Sequence, residues 1–167
     1  DPLEVPEIQP VHEPIRMVYA GGIYLNRWKT LAKIAEAIRT ENHNGKRIQL
    51  DIYTGNEITR EMAYKLNDGC NSIDLKNRLL TRMSFSTKIV DCLASSCAVM
   101  AICDEKQGGY EYLKRNDIAI CIPNVSKVHD VIHELLLDPA DIMEYKKKAK
   151  SFCLVNLEKK KQATMIM

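Results

Sequence analysis

Apolar residues along the chain alternate between two rhythms, and the switch between them sets out the elements. Ile15-Arg-Met-Val-Tyr-Ala20 is a short apolar run of strand character, broken by Gly21-Gly22. Leu31, Ile34, Ala35 and Ile38 then recur at helical spacing, which predicts a helix from about Asn26 to Thr40. Asn42–Lys46 is polar, contains Gly45 and reads as a turn. A second strand is predicted over Arg47–Tyr53, closed by Thr54-Gly55-Asn56, and a second helix over Glu57–Leu66. Strand, glycine turn and helix, repeated, is the pattern of a parallel α/β sheet.

The rhythm falters over Asn67–Ser84. Asn71–Leu75 has the make-up of a short strand, but Lys76–Met83 leads straight to the next helix. A crossover between parallel strands takes on the order of a dozen residues, so a helix and a strand are expected to be missing near 67–76. Either the fold is abbreviated there or chain has been omitted. Ile89, Val90, Leu93, Ala94 and Cys97 then predict a helix over about Ser86–Ser95, with Ser84 or Ser86 as N-cap. Ala98–Ile102 follows as a buried strand. Gly108-Gly109 precedes a short helix over Tyr110–Lys114, and Ile118–Ile122 is another strand. Helices over Val125–Leu137 and Ala140–Phe152 complete the pattern, the second entered through Asp138-Pro139.

Composition changes this picture little. The chain has 167 residues, 46% of them hydrophobic, enough for one sizeable core. A net charge of +2 gives no electrostatic reason to expect nucleic acid as a partner. No apolar run has the length of a membrane span, and the start lacks the layout of a signal peptide. Pro2, Pro6, Pro10 and Pro14 make residues 1–14 an extended linker, and 157–167 reads as a tail. Cys70, Cys92, Cys97, Cys103, Cys121 and Cys153 form no C-x-x-C pair, which points to reduced thiols and a cytoplasmic setting.

The chemistry gathers at the glycine turns and at the helix beginning near Ser86. That helix's first turn offers backbone N–H groups, the Ser86 and Thr87 hydroxyls and Lys88, a set suited to a diphosphate. An ordinary capped helix with solvated polar residues carries the same pattern. Gly21-Gly22 lacks the third glycine of the dinucleotide fingerprint, and no P-loop is present. A phosphoacceptor domain would need acidic residues after the first strand, where Ala20-Gly21-Gly22 has none. His129 and His133, four apart, have the spacing of a zinc pair without an evident third ligand, so a solvated or packed pair is favoured. Lys146–Lys148 and Lys159–Lys161 read as solvated faces, with peripheral membrane contact as the other use. Trp28 reads as a packing residue.

Three stretches, in order, resemble a known family. Val18-Tyr-Ala-Gly-Gly-Ile23, Ser86-Thr-Lys-Ile-Val-Asp-Cys-Leu-Ala-Ser-Ser-Cys-Ala-Val99 and Gly108-Gly-Tyr-Glu-Tyr112 are similar to the C-terminal, donor-binding half of GT-B-fold glycosyltransferases of the retaining group. The resemblance covers about residues 15–156. It implies a three-layer, Rossmann-like parallel sheet that binds a nucleoside-diphosphate sugar, without a metal, for transfer to an acceptor held by a separate N-terminal domain. In that scheme Gly21, Gly22, Arg27, Ser86, Thr87 and Lys88 contact the diphosphate and Asp91 the ribose. Gly108, Gly109 and Tyr110 lie on the sugar side, and no residue is assigned to catalysis. The helices after the first and fourth strands would flank one crevice at the switch point. The chain departs from the family at two positions: Met83 stands where the first of two glutamates is usual, and Gly22 where many members have arginine.

Overall fold

The computed structural model describes residues 5–45, 47–66, 73–77 and 85–164, with side chains over 5–45, 47–66 and 89–156. The protein is α/β, and its described strands form two small parallel sheets. The chain divides into two compact units, one of residues 12–82 and 125–137, the other of residues 1–11, 83–124 and 138–167.

In the first unit, β1 (Ile15–Ala20), β2 (Ile48–Thr54) and β3 (Ile73–Asn77) form a parallel sheet in the order β1-β2-β3. The helices α1 (Arg27–Glu41) and α2 (Arg60–Leu66) make the two crossovers. Register runs from Ile15 opposite Ile48 to Ala20 opposite Tyr53, and from Leu50 opposite Ile73 to Thr54 opposite Asn77. As the central strand, β2 is more deeply covered than β1: Ile48, Leu50, Asp51, Ile52 and Thr54 are all buried. Leu31, Ile34, Ala35 and Ile38 are buried on α1, as their spacing predicts. Helix α5 (Val128–Leu137), preceded by a 3-10 turn at Val125–Lys127, packs on α1 and buries Val128, Ile132 and Leu136.

Of the stretch where a helix and a strand are expected to be missing, the structure describes β3, which begins at Ile73 and pairs with β2; no further helix or strand is described between Asn77 and Phe85. A break between Asn67 and Ile73, and the link over 78–84 with Met83 and Ser84, fall outside the described residues.

In the second unit, β4 (Met100–Ile102) and β5 (Ile120–Ile122) pair in parallel through α4 (Gly108–Arg115). Helix α3 (Phe85–Ala94) packs on α6 (Ala140–Thr164), which continues through residues 157–164 of the stretch read as a tail. The core joins Leu93, Leu113, Ile118, Ala119, Ala149 and Cys153. Strand β4 is only half-buried, against the buried strand expected, and starts at Met100 rather than Ala98. The proline-rich segment lies on this unit. Val5 packs against its core, the Lys150 ammonium and the Ser96 hydroxyl both donate to the Pro6 carbonyl, and Lys146 donates to the Gln9 carbonyl at 2.9 Å.

Candidate functional site

Where β1 ends, the chain turns through Gly21 and Gly22 before α1, and the turn is pinned from several sides. The Gly21 amide donates to the Tyr53 carbonyl at 2.9 Å, which holds the turn to the end of β2. The Tyr19 hydroxyl donates to the Gly22 carbonyl at 2.7 Å. Burial pushes the Tyr19 phenol up from its ordinary pKa, with the Arg27 charge opposing, so it stays a proton donor. Ile23 is fully buried, and its amide donates to Asn56 Oδ1 at 2.8 Å. Asn56 is held in turn by Thr54: its amide donates to the Thr54 hydroxyl at 3.2 Å, and Thr54 Oγ1 lies 3.3 Å from Asn56 Oδ1. The ends of β1 and β2 are thus tied into one floor. Asn56, which the sequence pattern marked only as part of a closing turn, is the residue that joins them.

Above that floor stands Tyr24, 53% exposed. A Cβ at Gly22 would lie 2.2 Å from Tyr24 Cε1 and 2.7 Å from Cδ1, so a side chain here would have to push the Tyr24 ring aside; no positive φ is involved. An arginine at this position would first have to displace the ring. Arg27 is exposed and stacks its guanidinium 5.2 Å from the Tyr24 ring centroid. Leu25 and Asn26 both take the left-handed region, with φ of 54° and 62°, uncommon for leucine and tolerated by asparagine. They bend the chain so that α1 is capped by its own loop: Arg27 N–H donates to Tyr24 O, Trp28 N–H to Ile23 O and Lys29 N–H to Asn26 O. These amides of the first turn, like that of Gly21, are engaged within the protein, so Arg27 and the Gly22 backbone are what this end offers an anion. Trp28 is half-buried, with Lys29 Nζ 5.9 Å from its ring centroid.

Ser86, Thr87 and Lys88 occupy the first turn of α3, as predicted; their side chains lie outside the described residues. Asp91 is exposed on the same helix, one turn beyond Lys88. Leu93 is buried and Ile89 and Ala94 partly so, but Val90, expected inside, is 61% exposed. Gly108 and Gly109 open α4 as its first helical residues rather than forming a turn before it. Tyr110 is only 2% exposed, its ring committed to packing. Gly21, Gly22 and Arg27 are therefore brought together in one unit. The Ser86–Asp91 stretch belongs to the other, and Tyr110 is turned inward there.

His129 and His133 stack with ring centroids 6.4 Å apart and planes 10° from parallel. A metal lies in the plane of each imidazole that binds it, and two stacked, near-parallel planes do not meet at one ion. Both rings face Glu41 Oε1 instead, His133 Nδ1 at 3.0 Å and His129 Nε2 at 3.4 Å, across a cavity of about 380 Å³ that Arg47 also lines. No group of three or more metal-ligating side chains is arranged for an ion among the described residues. Of the Lys146–Lys148 run, Lys146 reaches the Gln9 carbonyl and Lys148 binds Asp117 and Glu144, so two of the three are held by the protein. No described helix is long and apolar enough to cross a membrane.

Cys97, Cys103, Cys121 and Cys153 are free thiols. Cys92 and Cys97 are exposed, Cys103 and Cys121 half-buried, and Cys153 buried; Cys70 lies outside the described residues. No known family profile and no curated protein matches the chain.

Proposed function

We propose that the chain is the donor-binding half of a glycosyltransferase, holding a nucleoside-diphosphate sugar for transfer to an acceptor. On this reading the fold is a three-layer, Rossmann-like half of a GT-B architecture working in the cytoplasm with an N-terminal acceptor domain. The observation that carries the reading is the glycine floor at the carboxyl end of β1, where ligands of open parallel sheets bind, with exposed Arg27 beside it. Gly21 holds the turn to the end of β2, Gly22 lets phosphate oxygens approach the backbone, and Arg27 supplies the charge. In the second unit, Ser86, Thr87 and Lys88 supply chemistry suited to phosphate oxygens, and Asp91 chemistry suited to ribose hydroxyls. Helix N-termini and basic side chains stabilise the nucleoside diphosphate as it leaves, which in this reading is electrostatic work done without a metal.

The capping of α1 by its own loop favours a second reading, a binding or interaction module that keeps the scaffold without turnover. A thermal-shift panel with UDP, GDP, ADP and dTDP tests the first. A ligand at 100 times its Kd stabilises by about 2.7 kcal/mol, a shift of several degrees. A shift with one base and not the others is expected; four flat responses contradict donor binding. Release of sugar from the matching nucleotide sugar, by a chain that carries an acceptor domain, separates enzyme from module.

A further inference from the structure

We propose that Tyr24 is a displaceable cover over the Gly22 backbone, and that an entering diphosphate moves the ring aside and takes its place beside Arg27. The inference rests on the donor reading for its ligand and on the geometry of the turn for its mechanism. Gly22, Ile23 and the end of β2 are fixed by the Tyr19 hydroxyl, the Asn56 side chain and the buried Ile23 side chain. Tyr24 is not fixed in this way. Its ring is half in water, lying over Gly22 and 5.2 Å from the Arg27 guanidinium. It fills the space through which an anion would reach the glycine backbone, since an atom built there meets the ring at 2.2 Å. Rotation of an exposed side chain is fast and changes nothing in the floor. It would also free Arg27, whose charge is now spread over a ring face, to pair with the phosphate.

A cover has a signature opposite to that of a contact residue. Apparent affinity falls with the fraction of molecules that are open, so removing the cover tightens binding. The experiment measures inorganic pyrophosphate binding by calorimetry in the wild type and Tyr24→Ala. In parallel, the nuclear Overhauser contact between the Tyr24 ring and the Gly22 α-protons is followed in the wild type. We expect affinity to rise about threefold or more in Tyr24→Ala, and the contact to vanish as pyrophosphate saturates the wild type. Unchanged or weaker binding by the variant, a contact that persists at saturation, or no binding by either protein overturns the cover. UDP, GDP, ADP and dTDP run alongside separate this from the donor reading. A nucleotide that binds with the ring contact intact removes the cover and leaves the donor reading. Pyrophosphate that displaces the ring while no nucleotide binds more tightly than it does removes the donor reading and leaves the cover.

Discussion

Replacing Asn56 by alanine tests whether the floor is built as described. The substitution removes the acceptor of the Ile23 amide and the side-chain partner of Thr54, and both residues are fully buried. A buried donor left without a partner costs about 1–3 kcal/mol, and water has no ready path to Ile23. We expect Asn56→Ala to lose about 2 kcal/mol, the middle of that range. With a urea m-value of about 2 kcal/mol/M, the midpoint falls by about 1 M. Trp28 is the sole tryptophan and sits five residues from Ile23 at the start of α1, so its fluorescence reports unfolding of this unit. Asn56→Asp is the control, because it keeps an oxygen where the amide points and should recover most of the loss. A midpoint unchanged in Asn56→Ala, or an Asn56→Asp variant as weak as the alanine one, would refute the argument.

The Arg16–Asp51 pair gives a second test. Asp51 is a carboxylate on the central strand at 2% exposure, bound by the Arg16 guanidinium and 3.4 Å from the Gln49 amide. That pairing also raises the Arg16 pKa above its ordinary value. Arg16→Met should lower the urea midpoint, by less than opening a fully buried pair would, because the guanidinium is largely in water. An unchanged midpoint would show that Asp51 does not depend on Arg16. Thiol titration gives a third. Burial pushes the Cys103, Cys121 and Cys153 thiols up, so in the folded protein they remain protonated to higher pH. At pH 8, iodoacetamide should label exposed Cys97 first, with Cys103, Cys121 and Cys153 following only as pH rises or the protein unfolds; equal labelling of these four at pH 8 contradicts the burial.

How far the sequence carried the fold depends on the element. Helix α1 was legible within a residue at each end because Leu31, Ile34, Ala35 and Ile38 are all inside, and periodicity reports burial. The same argument misplaced Val90, since a ten-residue helix buries a narrower stripe than its apolar content suggests. Asp51 was invisible as a structural centre: a charged residue within a strand reads as solvent-facing until its diagonal partner Arg16 is known. The glycine turn was found, but its reason was not. Tyr24 folds back over Gly22, a contact next to the left-handed pair Leu25-Asn26 and carried by no pattern of apolar residues. Gly108-Gly109 looked like a turn because glycine is a poor helix former, yet the buried Tyr110 and Leu113 draw it into α4.

The central claim, that this chain binds a nucleoside diphosphate, is tested most directly by calorimetry. The wild type, Arg27→Ala, Lys88→Ala and Asp91→Ala are titrated with the nucleotide found in the thermal panel, at low and at physiological salt. The account predicts that Asp91→Ala weakens binding by about 1–3 kcal/mol, the range for hydrogen bonds to a charged group. Arg27→Ala and Lys88→Ala should weaken it as well, and more at low salt, because their partners are phosphate charges. Affinity unchanged in all three variants, with circular dichroism showing the fold intact, would contradict the donor site and leave the scaffold reading in its place.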